Sequence, residues 1–535
     1  EIILTRMGKA GGLQEAKQLE MLQQSALPSA SGEPPDTTGR RPVRLFPQIP
    51  LHSRGDSFAL PFMKPLSILF AALLAFSLST NAANKPHIIL VMADDQGWGD
   101  MAYNGHPVIK TPNFDKAAAT GLRFDQFYAA APVCSPTRAS VMTGRHPNRM
   151  GVFKWGHPIR PQETTIAEAL KTAGYTTAHF GKWHLGSVRN NSPVHPGKNG
   201  FDEWLSAPNF YDNDATMSHK GKAIKTKGES SFIAVDAAIG WMEKKLKGDQ
   251  PIFAVVWFGS PHSPHVATEE YRKLYNDQPK NLQHFYGEVT GMDAAFGKLR
   301  DSLTKLGIRD NTILWYCSDN GALPRIGNTG GHRGYKGQVY EGGLLVPSIL
   351  EWPARIKKNR VTDFRGNTCD IYPTLLDIVG VKMKNQPRLD GMSLLPLIDN
   401  RKAPKERSMG FWDHTIRGIG VPSEKWMVEL WNAQQKGGDL EPSEASSKAA
   451  QLANPAYPTD SFPGHSAWID GDWKLHRIQD KTGGVKWEIY NLANDPKESR
   501  DLAANETQRV AKLRGQLDSW LESVGRSLNG EDYHQ

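Results

Sequence analysis

The sequence predicts an α/β protein. A large, mostly parallel sheet flanked by helices is followed by a smaller C-terminal antiparallel sheet plus a helix. Three observations predict it. Short apolar runs rich in β-branched residues alternate with helix-like segments up to about residue 400. Four of those runs end in polar or ionisable residues, as strands of an open α/β sheet do where they meet a ligand. Beyond residue 400 the pattern changes to alternating apolar and polar residues around tight turns.

Taken in order, "HIILVMADD" reads as a buried strand ending at Asp94 and Asp95. "TPNFDKAAATG" reads as a helix with Thr111 as N-cap, Pro112 at N1 and Gly121 as terminator. "TTIAEALKTAG" repeats that grammar, ending at Gly174, and "YTTAHFGKWH" follows as a strand running into a turn. "PIFAVVWFGSPHSPH" and "NTILWYCSDNG" are further buried strands with polar endings. "SAWIDGDWKLHRI" and "KWEIYNLANDPKESRDLA" predict an antiparallel hairpin, and "ETQRVAKLRGQLDSWLESVG" a closing helix. Residues 415–465 are rich in Gly, Ser, Pro and Ala and read as a long insertion or loop.

The segment "MKPLSILFAALLAFSLSTNAANKP" has a different character. Met63 and Lys64 form a short basic start, and Pro65 to Leu78 an apolar stretch of 14 residues, short for a membrane span. Thr80-Asn81-Ala82 is a small-x-small cleavage site, so 63–82 reads as a secretory signal peptide. Translation is then expected to start at Met63, with 1–62 as upstream sequence without a fold. The competing reading is an internal membrane anchor. The exported chain divides into a main domain over 83–403 and an α+β subdomain over 404–535. No stable membrane span is expected after cleavage.

Apolar residues make up 39% of the 535, which supports a real core. The formal charge is +8, without any run of five or more basic residues. That is not the clustered footprint of a nucleic-acid binder, so no nucleic-acid partner is expected. Three cysteines, Cys134, Cys317 and Cys369, make neither a disulfide framework nor a zinc pattern. Cys317 sits in an apolar run as a core thiol; a Cys317–Cys369 bridge has nothing to support it.

Four segments thus converge on one place with Asp94-Asp95, Lys182 and His184, His262, and Asp319-Asn320. Carboxylates gathered there need a cation, and hard oxygen donors favour Ca²⁺ or Mg²⁺ over zinc. Taken alone, Asp-Asp after a strand is more often a turn or helix cap; the second pair shifts the balance. Arg138, Lys182 and Lys336 are candidate clamps for a tetrahedral oxyanion. His184 and His262 are candidate proton carriers, with His265 a weaker one. Cys134, in the turn-like "CSPTRASVMTGR", is the misfit. A thiolate beside carboxylates and a hard cation is poor chemistry, and an oxygen nucleophile would suit the position better.

That segment resembles the C-x-P-x-R…T-G-R signature of the type I sulfatases, in which the cysteine is oxidised after translation to Cα-formylglycine. "ADDQGWGD", "TPNFDKAAATG", "TTIAEALKTAGYTTAHFGKWHLG", "SPHSPH", "CSDNGA", "GYKGQVYEGGLLVPSILEWP" and "GDWKLHRI…YNLANDPKESRDLA" resemble further blocks of that family, in order. The likeness is nearest to the arylsulfatase A and N-acetylgalactosamine-6-sulfatase type. It implies an alkaline-phosphatase-like fold. It implies one Ca²⁺ held by Asp94, Asp95, Asp319, Asn320 and an oxygen of the modified Cys134. It implies that Arg138 supports the formylglycine hydroxyls and the metal site, that Lys182 and Lys336 bind sulfate, that His184 helps release sulfate, and that His262 assists departure of the alcohol. It also implies a formylglycine-generating maturation enzyme as partner.

The expected activity is therefore hydrolysis of a sulfate ester, with a sulfated carbohydrate as expected substrate and the 187–225 and 412–465 loops choosing the alcohol. A phosphonate or phosphate diester hydrolase of the same superfamily is the first alternative; such enzymes tend to carry His where this chain has Asn320. A catalytically silent glycan-binding relative is the second, and the full set of catalytic residue types argues against it.

Overall fold

At the centre of the sheet, β1 (His87–Ala93) is buried on both faces, and its residues divide strictly between them. Ile88, Leu90 and Met92 enter one core; Ile89, Val91 and Ala93 enter the other. The period-two geometry of a strand makes an unbroken apolar run do this only inside a three-layer fold. The computed structural model describes residues 85–401, 407–451 and 456–533. The signal peptide over 63–82, the upstream segment and the boundary at 403/404 lie outside the described residues.

The other strands of the large sheet are β2 (Leu122–Tyr128), β3 (Thr176–Lys182), β4 (Glu203–Ala207), β5 (Thr216–His219), β6 (Lys222–Lys225), β7 (Ile252–Trp257), β8 (Thr312–Ser318), β9 (Leu345–Glu351), β10 (Arg360–Thr362) and β11 (Gly366–Asn367). Their order is β10-β2-β9-β8-β1-β7-β3-β4-β5-β6, with β11 also paired to β2. The run β8-β1-β7-β3-β4 is parallel throughout, and antiparallel strands flank it. The carboxyl ends of β8, β1, β7 and β3 therefore open on the same edge, side by side.

Helices Pro112–Ala118, Ser230–Lys245 and Lys280–Lys305 cover one face of the sheet. Helices Cys134–Thr143, Ile166–Thr172 and Ile371–Val379 cover the other. The Ile166 helix starts as its sequence predicts, with Thr165 and Glu168 forming a reciprocal capping box. The Pro112 helix does not. Thr111 gives it no side-chain cap, because its hydroxyl accepts from the Ala102 N–H and donates to Asp115. That helix ends at Ala118, before Gly121.

The second sheet is antiparallel, β12 (Ser408–Asp413), β13 (His465–Asp470), β14 (Trp473–Gln479) and β15 (Val485–Asn491), in that order. One face packs Phe411, Ala467 and Ile469 against Tyr128, Val339 and Leu344 of the large layer. The other lies under the amphipathic helix Thr507–Leu528. Two expectations need correction. The 415–465 segment contains helix Ser423–Gln435, whose Met427 and Leu430 reach the main core, and the 187–225 loop contains strands β4 to β6. Cys317 and Cys369 are buried, unpaired thiols. Among the described residues, no helix is long and apolar enough to cross a membrane.

Candidate active site

Nine of the ten expected site residues form one connected cluster. Asp94 and Asp95 follow β1 directly. The Asp94 N–H donates to the Ser260 carbonyl, and the Asp95 N–H to Oδ1 of Asp319, both at 3.0 Å. Asp95 holds a left-handed backbone (φ 71°), unusual for a residue with a side chain, so the chain turns sharply off the strand and both carboxylates face the sheet edge. All of Asp94, Asp95, Asp319 and Asn320 are fully buried.

Each carboxylate has a cationic partner. Lys182, the last residue of β3, places Nζ at 2.9 and 2.7 Å from the two oxygens of Asp94. Lys336 Nζ is 2.6 Å from Oδ2 of Asp95. Arg138 donates from Nε at 3.0 Å and from Nη2 at 2.6 Å to Oδ2 of Asp319, and from Nη1 to the Lys182 carbonyl. Its guanidinium lies 5.1 Å from the centre of the Trp257 ring. Burial would raise the Asp95 carboxyl, but Lys336, His262 and Lys182 hold it well below the usual carboxylate range. Burial pushes Asp319 up to about 6, with Arg138 opposing.

The Cys134 segment is not a turn. Cys134 to Thr143 form a helix in which all ten residues are buried, and Gly144 ends it in the left-handed region. Ligating atoms of Asp94, Cys134 and Asp319 lie within 4.8 Å of one another, as do those of Asp94, Asp95 and His262. Burial pushes the thiol upward, and Lys182 and Lys336 only partly offset that. A neutral thiol here is protonated at physiological pH and makes a poor nucleophile. The second arginine of the motif, Arg145, is not in the site. It is buried against Glu163 and Asp532.

His262 closes the exposed side. Its Nε2 is 3.6 Å from Oδ2 of Asp95, its Nδ1 donates to the Ser263 carbonyl at 2.6 Å, and Phe210 stacks on the ring at 4.4 Å. Burial pushes its pKa down to about 3, although Asp95 pulls the other way. His265 points elsewhere, to Glu288. His184 is the tenth residue. It is buried, has φ 53°, and makes no hydrogen bond from either ring nitrogen. Burial, then Lys182 and Arg138, drives it well below the ordinary histidine range, so it is a neutral imidazole beside the cluster with no hydrogen bond to it.

The donor set suits a hard divalent cation. Three buried carboxylates converge, and Oδ1 of Asn320 is buried without any hydrogen-bond partner while its Nδ2 is used on Asp95. An amide oxygen left bare beside carboxylates is what an oxygen-preferring ion requires.

Two contributors are missed by the sequence reading. Asp100, in "ADDQGWGD", is buried and accepts from the N–H groups of Gly97 and Asn328 at 2.8 Å, tying the Asp94-Asp95 turn to the loop that carries Lys336. Burial pushes its carboxyl up to about 7. Arg333, in that same loop, lies 3.9 Å over the Tyr340 ring and donates to Tyr490 of the second sheet at 2.7 Å. The Asp-Gly spacing was a signal for Asp100. Nothing local marks Arg333, because its partner is 157 residues away.

Residues 86–381 match the Sulfatase family model. N-acetylgalactosamine-6-sulfatase of Mus musculus is 34% identical over 393 residues, 66% of this chain and 74% of that protein. Arylsulfatase A of Homo sapiens is 31% identical over 515 residues, 86% of this chain and 94% of that protein. Among solved structures, Ps i-CgsB in complex with k-i-k-neocarrahexaose superimposes with a TM-score of 0.68 at 24% identity, covering 84% of this chain and 94% of that one. A buried carboxylate–lysine–arginine cluster at the carboxyl edge of such a sheet, in a chain matched over these lengths, makes this protein a member of the sulfatase family, the sulfuric ester hydrolases.

Proposed function

We propose that the protein removes sulfate from a sulfated glycan, using Cα-formylglycine made from Cys134 and one bound Ca²⁺. The observation that carries this reading is the mismatch at Cys134: a buried, protonated thiol placed among hard oxygen donors and three cationic side chains. Asp94, Asp95, Asp319, Asn320 and an oxygen of the modified Cys134 would hold the ion. When present, the ion and the hydrated aldehyde supply an acidified oxygen nucleophile, with a second hydroxyl for regeneration.

The chain's own residues do the rest. Arg138 orients Asp319 and holds it ionised. Lys182 and Lys336 supply positive charge to the sulfuryl oxygens as the ester bond breaks. His262 presents Nε2, because its Nδ1 proton is committed to the Ser263 carbonyl. The proton that neutralises the departing alcohol leaves from Nε2 of the imidazolium, a form that the negative charge of a bound ester favours. His184, whose ring nitrogens carry no hydrogen bond, would take up the proton released as sulfate leaves, once the negative charge of the bound sulfate offsets Lys182 and Arg138 and raises its basicity. Every residue of the Cys134 helix is buried, so the maturation enzyme must act before this helix docks. Export directed by residues 63–82 is part of the same reading and rests on sequence.

A desulfation screen over defined sulfated mono- and oligosaccharides tests this. Release of inorganic sulfate from at least one saccharide is expected. Activity confined to small aryl sulfates would overturn the glycan assignment and leave the ester hydrolysis intact.

A further inference from the structure

Trp155 is a large aromatic side chain left 43% exposed, and its neighbour in sequence is tied to the neighbour of Cys134. The N–H of Gly156, the next residue, donates to Oγ of Ser135 at 2.8 Å, and Ser135 follows Cys134. The indole is backed by a glycine. A Cβ placed on Gly418 would lie 2.3 to 2.6 Å from Cε2, Cδ2 and Nε1 of Trp155, so the ring rests flat on bare backbone. One face of the indole is covered and held, leaving the rest of it to solvent.

Gly418 belongs to a strap, residues 415–422, that enters the helix Ser423–Gln435. The strap is fixed at the Trp155 end by the Ile419 N–H, which donates to the Trp155 carbonyl at 2.8 Å, and by His157 Nε2, which donates to the Arg417 carbonyl at 3.0 Å. At its far end, Asn209 Nδ2 donates to the Val421 carbonyl at 3.1 Å. Asn209 precedes Phe210, the ring stacked on His262. The strap therefore joins the Trp155 segment, tied to the residue after Cys134, to the Asn209-Phe210 segment that packs on His262.

We infer that Trp155, held by Gly418, is a platform on which a pyranose ring of the substrate stacks. The inference rests on the sulfated-glycan reading above and adds the residue that recognises the sugar. A rigid aromatic face at a polar site binds a ring that is apolar on one side and hydroxylated at its edge.

The test is binding of the saccharide that the desulfation screen identifies, measured by calorimetry on the full chain in a Cys134→Ala background that cannot turn over. Adding Trp155→Ala is expected to raise Kd about tenfold or more, the scale of an anchoring tryptophan. Adding Trp155→Phe, which keeps a flat ring, is expected to raise it by no more than about threefold. Gly418→Ala, which pushes the indole off its seat, is expected to follow Trp155→Ala. Unchanged Kd in Trp155→Ala, or an equal loss in Trp155→Phe and Trp155→Ala, overturns the platform while the glycan reading stands. If the screen finds no saccharide substrate, both fall.

Discussion

At the scale of single residues, the site is a problem in charge. Asp94, Asp95 and Asp319 are buried without exposed surface, and Lys182, Lys336 and Arg138 balance them one for one. What the balance leaves over is the unpartnered oxygen of Asn320 and a cysteine of the wrong hardness. Removing the cation with a strong chelator is expected to abolish sulfate release, and Ca²⁺ to restore it. Full activity after exhaustive metal removal would contradict the oxygen-ligand assignment. For His262, the expected signature depends on the leaving group. His262→Ala should lower kcat by about 10²–10⁴ on a sugar sulfate, whose alkoxide needs a proton. It should cost less than about tenfold on a nitrophenyl sulfate, whose phenolate does not. Equal losses on both substrates would remove His262 from the role of acid.

At the scale of elements, the ends of four parallel strands and the Cys134 helix bring most of the cluster together, but a loop delivers Lys336, and loops need holding. The second sheet does that. Arg333 joins Tyr490, Glu488 and the Glu498 carbonyl, and the Glu498 carboxylate accepts from the Glu341 N–H at 2.6 Å and from His476 Nε2 at 2.6 Å. Arg333 is thus a positioning residue for Lys336. Arg333→Ala is expected to lower kcat/KM about tenfold, and to cost little more once Lys336 is already alanine, a coupling of about 1 kcal/mol or more. Additive losses in the double variant would show that Arg333 serves stability alone. The strand ends were legible because an apolar β-branched run that stops at two aspartates has few other meanings. The helix Ser423–Gln435 was hidden by its Gly- and Pro-rich flanks, although Trp426, Met427, Leu430 and Trp431 carry a helical period. The Trp155–Gly418 and Arg333–Tyr490 contacts had no sequence signal, since each joins segments that only the fold brings together.

At the scale of the whole molecule, buried histidines set the response to acid. Outside the site, burial pushes His146 down to about 3 and His195 and His414 down to about 4. It drives His179, His465 and His476 well below the ordinary value too. In the unfolded chain all six take up protons as pH falls through about 6.5. The native state does not, so stability is lost on acidification. Buried acids oppose this: burial pushes Asp100 and Glu229 up to about 7 and Asp293 to about 6, and raises Glu163, Glu288 and Asp413 as well. They hold protons in the native state that the unfolded chain releases. All six histidines lose their share of stability around pH 6.5, whereas only Asp100 and Glu229 titrate as high as about 7, so the Tm is expected to fall between pH 7.5 and 5.5; a flat or rising Tm would contradict it. The alternation of strand and helix, the second sheet and the family were all readable at this scale, because period and order survive without contacts.

The mass of the peptide spanning Cys134, taken from protein that is actively releasing sulfate, tests directly whether the nucleophile at this position is an oxygen. The aldehyde or its hydrate at position 134 is the expected result. An active preparation in which that residue is uniformly an unmodified thiol would contradict an oxygen nucleophile at this site.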